Sequence, residues 1–495
     1  MSIGCTHIGI FFAHYKCVEK ENEKPNNHMV EEIKANFATP EVLVEREFLL
    51  GEKRGTLLIH PELTDSVAIR QMIVAFSKCE GAENPQELIE KTIPITECSV
   101  VETSKEALDM ILMGDVAVII DGFTGIIIAN AKTWQQRGVG EPPVDTVLSG
   151  PREGFTEDIR TNLTLIIRKL KTPKLAIDRF KVGKLSNSNM AIVYIKDVAN
   201  DKVVKQLKEK LEKINTDGVL DTSCFEPFLD ERPYSIFKQT GKSEKPDIVV
   251  SKLLEGRVAI VLDGSPIVLT VPYIAIEDFS SPQDYYERPA YSTFIRFIRY
   301  FAIFLALYVP AFYVAVQVFN YDVIPLRLLV PLMNATRGTP LPIMLEVLLV
   351  ILFFEMIREC MLRTPAAIGF ALGLVGVIVM SETAVNAGIL SVPPILVVAL
   401  SSLGLFMIPG HVHSTSILRV IFTIGAGILG IYGLILMSVF LVHYLVNIES
   451  YGSPYLAPFA PFIAKDQKDA LFKEPYTHFK ERPYSIKQEN KVRQK

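Results

Sequence analysis

The chain has few cysteines and no arrangement of them that would do chemistry. Its six thiols (Cys5, Cys17, Cys79, Cys98, Cys224 and Cys360) form no CxxC pair and no Cys/His ligand spacing. They read as structural or incidental thiols of a reducing compartment, neither a disulfide framework nor a metal site. A basic, aromatic-interleaved patch is missing, and a formal net charge of −4 gives no reason to expect a nucleic-acid partner. No Ser/His/Asp, Cys/His or paired-carboxylate constellation stands out, so the chain reads as a non-enzyme without cofactor or metal. A secretory signal is lacking too, since Ile8–Ala13 is a short apolar run without a signal peptide's layout. Residues 1–28 end in a polar run and read as a disordered leader, with Met29 as an alternative start.

Long apolar runs are present, but only in one part of the 495 residues. Up to about residue 291 charged and apolar positions alternate as in water-soluble domains; Phe294 to Asn447 is dominated by runs long enough to cross a bilayer. A chain in lipid must satisfy its backbone polar groups internally, so this part is expected to be helical. Five segments can be drawn, at about 297–319, 342–357, 366–385, 392–409 and 417–447. The expectation is a transmembrane bundle of four to six segments over 291–450 and a tail over 451–495. The last segment carries Gly425, Gly427, Gly430 and Gly433 and is long enough to bend or re-enter instead of crossing once. Arg288, Arg296 and Arg299 before the first segment place the aqueous part in the cytoplasm; Arg358, Arg363 and Arg419 mark returns to that side. A cytoplasmic tail needs an even number of crossings, and the parity stays open.

The aqueous part reads as an α/β duplication. Leu112–Gly122 (LMGDVAVIIDG) matches Leu254–Gly264 (LEGRVAIVLDG), each after a helix-like stretch and before a second apolar run. The pattern is helix, Gly stop, strand, Asp-Gly turn, strand. Upstream of each copy another hairpin is followed by a helix: Arg46–Leu50 and Thr56–His60 with Asp65–Phe76, then Arg179–Val182 and Met190–Lys196 with Asp201–Ile214. Two subdomains follow, 29–150 and 151–290. Between them, Gly150, Pro151, Arg152, Glu153, Gly154 and Phe155 lead to Thr156 as cap of a helix with Ile159, Leu163, Ile166, Ile167 and Leu170 on one face. The segment reads either as a joint transmitting movement between subdomains or as a capped connecting helix.

Ionisable residues in the bilayer are costly and draw attention. Glu355 and Glu359 share a helix face with Arg358 beside them, while Glu346 turns about 180° away. Glu346 therefore reads as facing a pore or a neighbouring subunit, with the Glu355/Arg358/Glu359 cluster pairing near the cytoplasmic surface. Gly369, Gly373 and Gly376 make a small-residue stripe. It fits a subunit contact, a narrow water path or helix packing within one chain. The GxGxxG at Gly425–Gly430 lies inside an apolar run and is no dinucleotide fingerprint; His411 and His413 lack further ligands and belong to a connecting loop.

Several motifs together resemble the A-type subunits of bacterial spore germinant receptors over about residues 30–485. They are Gly150–Glu157, Glu255–Ile260 with Asp263-Gly264, Pro282–Arg288, Leu345-Glu346, Phe354–Glu359, Ala384–Ile389, Tyr451–Pro458 and Arg482-Pro483. His411-Val412 stands where relatives usually carry Asn-Tyr, and Pro289 breaks the linker before the membrane. The F-type protein of the stage V sporulation operon shares the pattern, but GPREGF and Asp466–Ala470 favour the receptor branch. The resemblance implies a homo-oligomeric channel subunit in the spore inner membrane. It would work with a permease-like B subunit, to which nutrient recognition is attributed, and a lipoprotein C subunit. A solute transporter with a regulatory cytoplasmic domain is the alternative, and a purely structural scaffold for the other subunits a third.

Overall fold

The computed structural model describes residues 25–79, 81–132 and 150–493. Two compact units divide between Thr133 and Trp134.

The first unit is a five-stranded antiparallel sheet in the order β1 (Val44–Leu50), β2 (Lys53–Ile59), β4 (Val116–Ile120), β5 (Ile126–Ala129), β3 (Cys98–Val101). Its helices are α1 (Pro25–Ala35), α2 (Ser66–Lys78), α3 (Pro85–Lys91) and α4 (Ser104–Ile111). β4 is apolar at every position because both sheet faces are covered. Val116, Val118 and Ile120 pack with Met72, Phe76 and Leu88, whereas Ala117 and Ile119 pack with Val30, Ile33 and Leu108. The period of two along the strand thus serves two separate cores. Residues 25–28, expected in a disordered leader, belong instead to α1, because Val30 and Ile33 bury against the sheet and hold the helix down. Residues 1–24 lie outside the described residues.

The second unit repeats this sheet. β6 (Leu175–Val182), β7 (Ser188–Ile195), β9 (Val258–Leu262), β10 (Val268–Val271) and β8 (Gly241–Ser243) pair in the same relative order. Helices α5 (Ile159–Lys169), α6 (Asp201–Glu212), the single turn α7 (Glu226–Leu229) and α8 (Pro246–Leu254) accompany it. Matched glycines do matched jobs: Gly114 and Gly256 have φ +96° and +94°, and Gly122 and Gly264 have +85° and +90°. Each pair stops a helix or turns a hairpin where a side chain would be strained. Asp115, on the position matched by Arg257, pairs with Lys132 at 3.1 Å, while Arg257 pairs with Glu277. The duplication keeps a buried ion pair and exchanges its signs. The central strands, the four hairpins and helices α2, α4, α5, α6 and α8 were legible in the sequence; the short edge strands β3 and β8 were not.

Within the same second unit follow α9 (Pro289–Val318), α10 (Leu326–Thr336), α11 (Ile343–Arg363), α12 (Ala366–Ile378), α13 (Ala384–Asn386), α14 (Val392–Phe406) and α15 (Val412–Val446). A π turn over Val379–Thr383 joins α12 to α13. Pro289 does not break a linker: it occupies the first turn of α9, where a missing N–H costs nothing. All five expected segments are helical, yet among the described residues only Pro289–Val318 and Pro409–Val446 are long and apolar enough to count as clear membrane spans. Against four to six expected, the others fall short for physical reasons. α11 carries Glu346, Glu355, Arg358, Glu359 and Arg363, and Ile368–Ile378 and Val392–Phe406 are short.

The last span is folded double. Gly430 adopts φ 63°, ψ −143° inside α15, and a Cβ on Gly433 would lie 2.2 Å from the Gly425 carbonyl oxygen. Eight residues of straight helix would separate these positions by about 12 Å, so the chain reverses at Gly430 into two antiparallel limbs. The turn packs against Phe319 at the end of α9. The second limb returns to Ile448 and Tyr455, which bury with Phe237 and Tyr273 of the α/β subdomain. The 451–493 segment then lies on that subdomain: Asn200 donates to the Lys487 carbonyl at 2.8 Å and Arg482 to the Leu254 carbonyl at 2.6 Å.

Candidate coupling joint and buried ion pairs

The expected joint, Gly150–Phe155, is stitched to the second α/β subdomain. Gly150 has φ +121°, and a Cβ there would strike the Tyr286 ring. Pro151 is half-buried and Arg152 exposed. Glu153 pairs with Arg168 and, at 3.2 Å, with Lys169 of α5. Burial raises the Glu153 carboxyl, but the two cations outweigh it and hold it below the usual carboxylate range. Phe155 is buried and its amide donates to the Glu244 carbonyl at 2.7 Å. The cap of α5 is Asp158, which accepts from the Thr161 amide, and not Thr156 as expected. Thr156 instead exchanges hydrogen bonds with the fully buried Asn162 amide, which takes its oxygens away from the helix end.

Closer to the membrane helices lies a denser network. Arg257 is buried and pairs with Glu277 and, at 3.2 Å, with Glu255; Lys252 reaches Glu277 at 2.8 Å. Burial raises the Glu277 carboxyl, yet Arg257 and Lys252 outweigh it and hold it down to about 2. Burial pushes neighbouring Glu255 up. Next in the chain, Asp278 receives Lys238 at 2.7 Å and the Tyr273 hydroxyl at 2.7 Å, and lies 3.4 Å from His411. His411 is thus a buried contact from the Pro409–His411 turn. Gly410 is required beside it, because a Cβ would meet the Asp278 carboxylate at 2.4 Å.

At the base of α9, Arg299 grips Asp284 with two bonds of 2.6 and 2.8 Å. Arg296, with no exposed surface, reaches Asp284 at 3.3 Å and Asp469 of the tail at 3.1 Å. Tyr285 donates to Asp469 at 2.8 Å. Lys473 is enclosed by Tyr285, Tyr476 and Phe479, with ring centroids 3.6, 5.2 and 4.5 Å from its Nζ. A cavity of about 1140 Å³ opens between the subdomain, the Pro409–His411 turn and the tail. Pre-membrane segment, first membrane helix and tail are therefore held by shared charges. Sequence reasoning quoted Pro282–Arg288 and Asp466–Ala470 as motifs, but their aspartates show no meaning until Arg296 brings them together.

Within the helices, Arg419, read from the sequence as marking a return to the cytoplasmic side, lies buried in the first turns of α15, 2.8 Å from Glu355, with Ser401 and Ser402 at 3.2 and 3.1 Å. The burial is affordable because all three partners face it. Arg358 completes the cluster, 2.6 Å from Glu355, while Glu359 pairs with Arg363 at the exposed end. Glu346 is fully buried within its own chain, where its carboxylate accepts from the Ser391 amide at the start of α14. Gly369, Gly373 and Gly376 face α11, since added Cβ atoms would meet Thr364, Met361 and Ile357. The stripe is used for close packing inside the chain; the remaining faces of α12 are exposed.

The family model described as Bacillus/Clostridium GerA spore germination protein matches residues 31–485. Spore germination protein KA of Bacillus subtilis is 33% identical over 94% of this chain and 87% of its own length. Spore germination protein GerLA of Bacillus cereus is 33% identical over 92% and 94%. Stage V sporulation protein AF of Bacillus subtilis is 28% identical over 86% of each. Among solved structures, the N-terminal domain of the A subunit of a Bacillus megaterium spore germinant receptor is 26% identical over 50% of this chain and 93% of its own, with a TM-score of 0.38.

Proposed function

The chain belongs to the GerA family of spore germination proteins, and on that premise we propose that it is the A-type subunit of a nutrient germinant receptor. Copies of it assemble into an ion channel in the spore inner membrane, with a permease-like B subunit and a lipoprotein C subunit as partners. The α/β head is cytoplasmic. The two limbs of α15, reversed at Gly430, return the tail to the side of the head.

The observation that carries this reading is Arg296. One side chain at the foot of the first membrane helix pairs with the segment leaving the head and with the returning tail. A shift of the head is thereby passed to a membrane helix, and a partner that favours one arrangement moves the population of pore states. Gly150–Phe155 is the hinge of that movement. The outward faces of α12 meet neighbouring subunits.

Reconstitution into vesicles tests it. A channel passes ions down a gradient without substrate coupling; a transporter shows coupled, saturable flux; a scaffold shows none, and either of the last two results ends the channel reading. The transporter alternative is weaker because the visible duplication lies in the sheets and not in the membrane helices. Arg152→Ala is expected to impair assembly or response, and normal receptor level with normal germination removes the hinge assignment.

A further inference from the structure

Glu346 is the only partly satisfied charge in a closed apolar setting of Val314, Val347, Val350, Leu390 and Val398 among the described residues of that core. One carboxylate oxygen accepts from the Ser391 amide, the N-terminal cap of the 15-residue α14. The other oxygen is buried without a partner. The Ser391 hydroxyl, on a side chain 2% exposed, is also buried and unpartnered. Across from them on α9, the Tyr313 hydroxyl is a third such atom and lies within electrostatic reach of Glu346. Orphaned polar atoms in apolar surroundings are expensive singly, and a cluster of them in one place calls for an occupant.

We propose that Glu346, Ser391 and Tyr313 form a binding site for a single alkali-metal cation, sodium or potassium, enclosed by α9, α11 and α14. The donors are oxygens, which suit hard cations. The site supplies one negative charge, so a monovalent ion leaves it neutral whereas a divalent ion leaves an uncompensated positive charge in a medium of low dielectric. The α14 N-terminus holds one carboxylate oxygen and turns the other, with the hydroxyls, toward the ion. Bound cation then ties three helices together. This goes beyond the channel reading and does not depend on it, since the site stands on packing within one chain.

The test measures thermal unfolding of the full-length protein in detergent at pH 7 while KCl or NaCl replaces N-methyl-D-glucamine chloride at constant ionic strength. The wild-type midpoint is expected to rise and saturate with one alkali cation, and Glu346→Gln to be insensitive to it. Tyr313→Phe and Ser391→Ala, which keep the carboxylate and its backbone bond, serve if the first variant does not fold. Each is expected to raise the half-saturating concentration about tenfold, the equivalent of one lost ligand interaction. A wild-type midpoint blind to both cations, or an equal rise in Glu346→Gln, overturns the proposal. A midpoint that rises only on acidification, and only with Glu346 present, overturns it as well, because the carboxyl then holds a proton. Conductance plays no part in these readouts, so failure here leaves the channel reading standing, and the reverse also holds.

Discussion

Arg296 and Asp469, 173 residues apart, meet through a guanidinium-to-carboxylate contact of 3.1 Å at the foot of the first membrane helix. Arg296 is wholly buried, and its other acid partner is Asp284. The pair therefore fastens the C-terminal segment to α9, and its energy depends on both partners being present.

Removing one partner exposes that dependence. Asp469→Ala is expected to cost about 3 kcal/mol by leaving part of a buried charge uncompensated, and to speed proteolysis of residues beyond Asn447. Adding Arg296→Met should recover a share of the loss. Unchanged cleavage in Asp469→Ala would mean that the tail is held elsewhere.

The reversal at Gly430 makes a second prediction. Its backbone conformation is closed to L side chains, and a Cβ would sit 3.0 Å from that of Phe319. Gly430→Ala should lower stability by about 1–3 kcal/mol. Gly338→Ala also has positive φ but nothing within 4 Å, and should cost less. Equal midpoints for the two variants would argue against a tight turn at Gly430.

Lys473 ties stability to pH. Burial lowers its pKa to about 8 from an ordinary 10.5, despite Asp469 nearby. Between those values the folded chain binds fewer protons than the unfolded one, so stability rises with pH. The cost of burying the charged form is fully present below about pH 8 and is relieved toward 10.5. Lys473→Met should flatten that part of the profile, read as tail protection from protease; an identical slope in the variant would assign it to another group.

Glu355 and Arg419 form the buried pair of the membrane helices, at 2.8 Å. Glu355→Gln and Arg419→Gln are each expected to destabilise the bundle, with a coupling of about 1–3 kcal/mol in a double-mutant cycle. Additive effects would show that Ser401 and Ser402 alone hold the guanidinium.

Gly410→Ala should act through one contact. Its methyl group would displace the Asp278 carboxylate from Lys238 and Tyr273. A measurably lower unfolding midpoint is expected, and Asp278→Asn should reproduce most of it. A wild-type midpoint in Gly410→Ala would mean that the Pro409–His411 turn is not docked on that acid.

The strands that repeat in the sequence were readable because each copy carries its own local signals: a short continuous apolar run, a glycine stop before it and an Asp-Gly turn after it. The edge strands β3 and β8 carry none. Cys98–Val101 is half exposed and Gly241–Ser243 has three small or polar residues, so pairing alone makes them strands. The glycine stripe of α12 was visible as a packing surface, yet nothing local said that Met361 and Ile357 of the same chain fill it.

The order of apolar and polar segments, the doubled α/β head and the helical character of 294–447 were determined by the sequence itself, since they follow from local periodicity and from what lipid demands of a backbone. Which charges meet was decided by the tertiary structure. Arg419 read only as a marker of sidedness and is also a buried partner; Glu346 looked outward-facing and is enclosed; Asp284 and Asp469 acquire a role only when a doubled-back helix returns the tail to the foot of α9. An ion pair is a property of distance in three dimensions, and spacing along the chain carries no record of it.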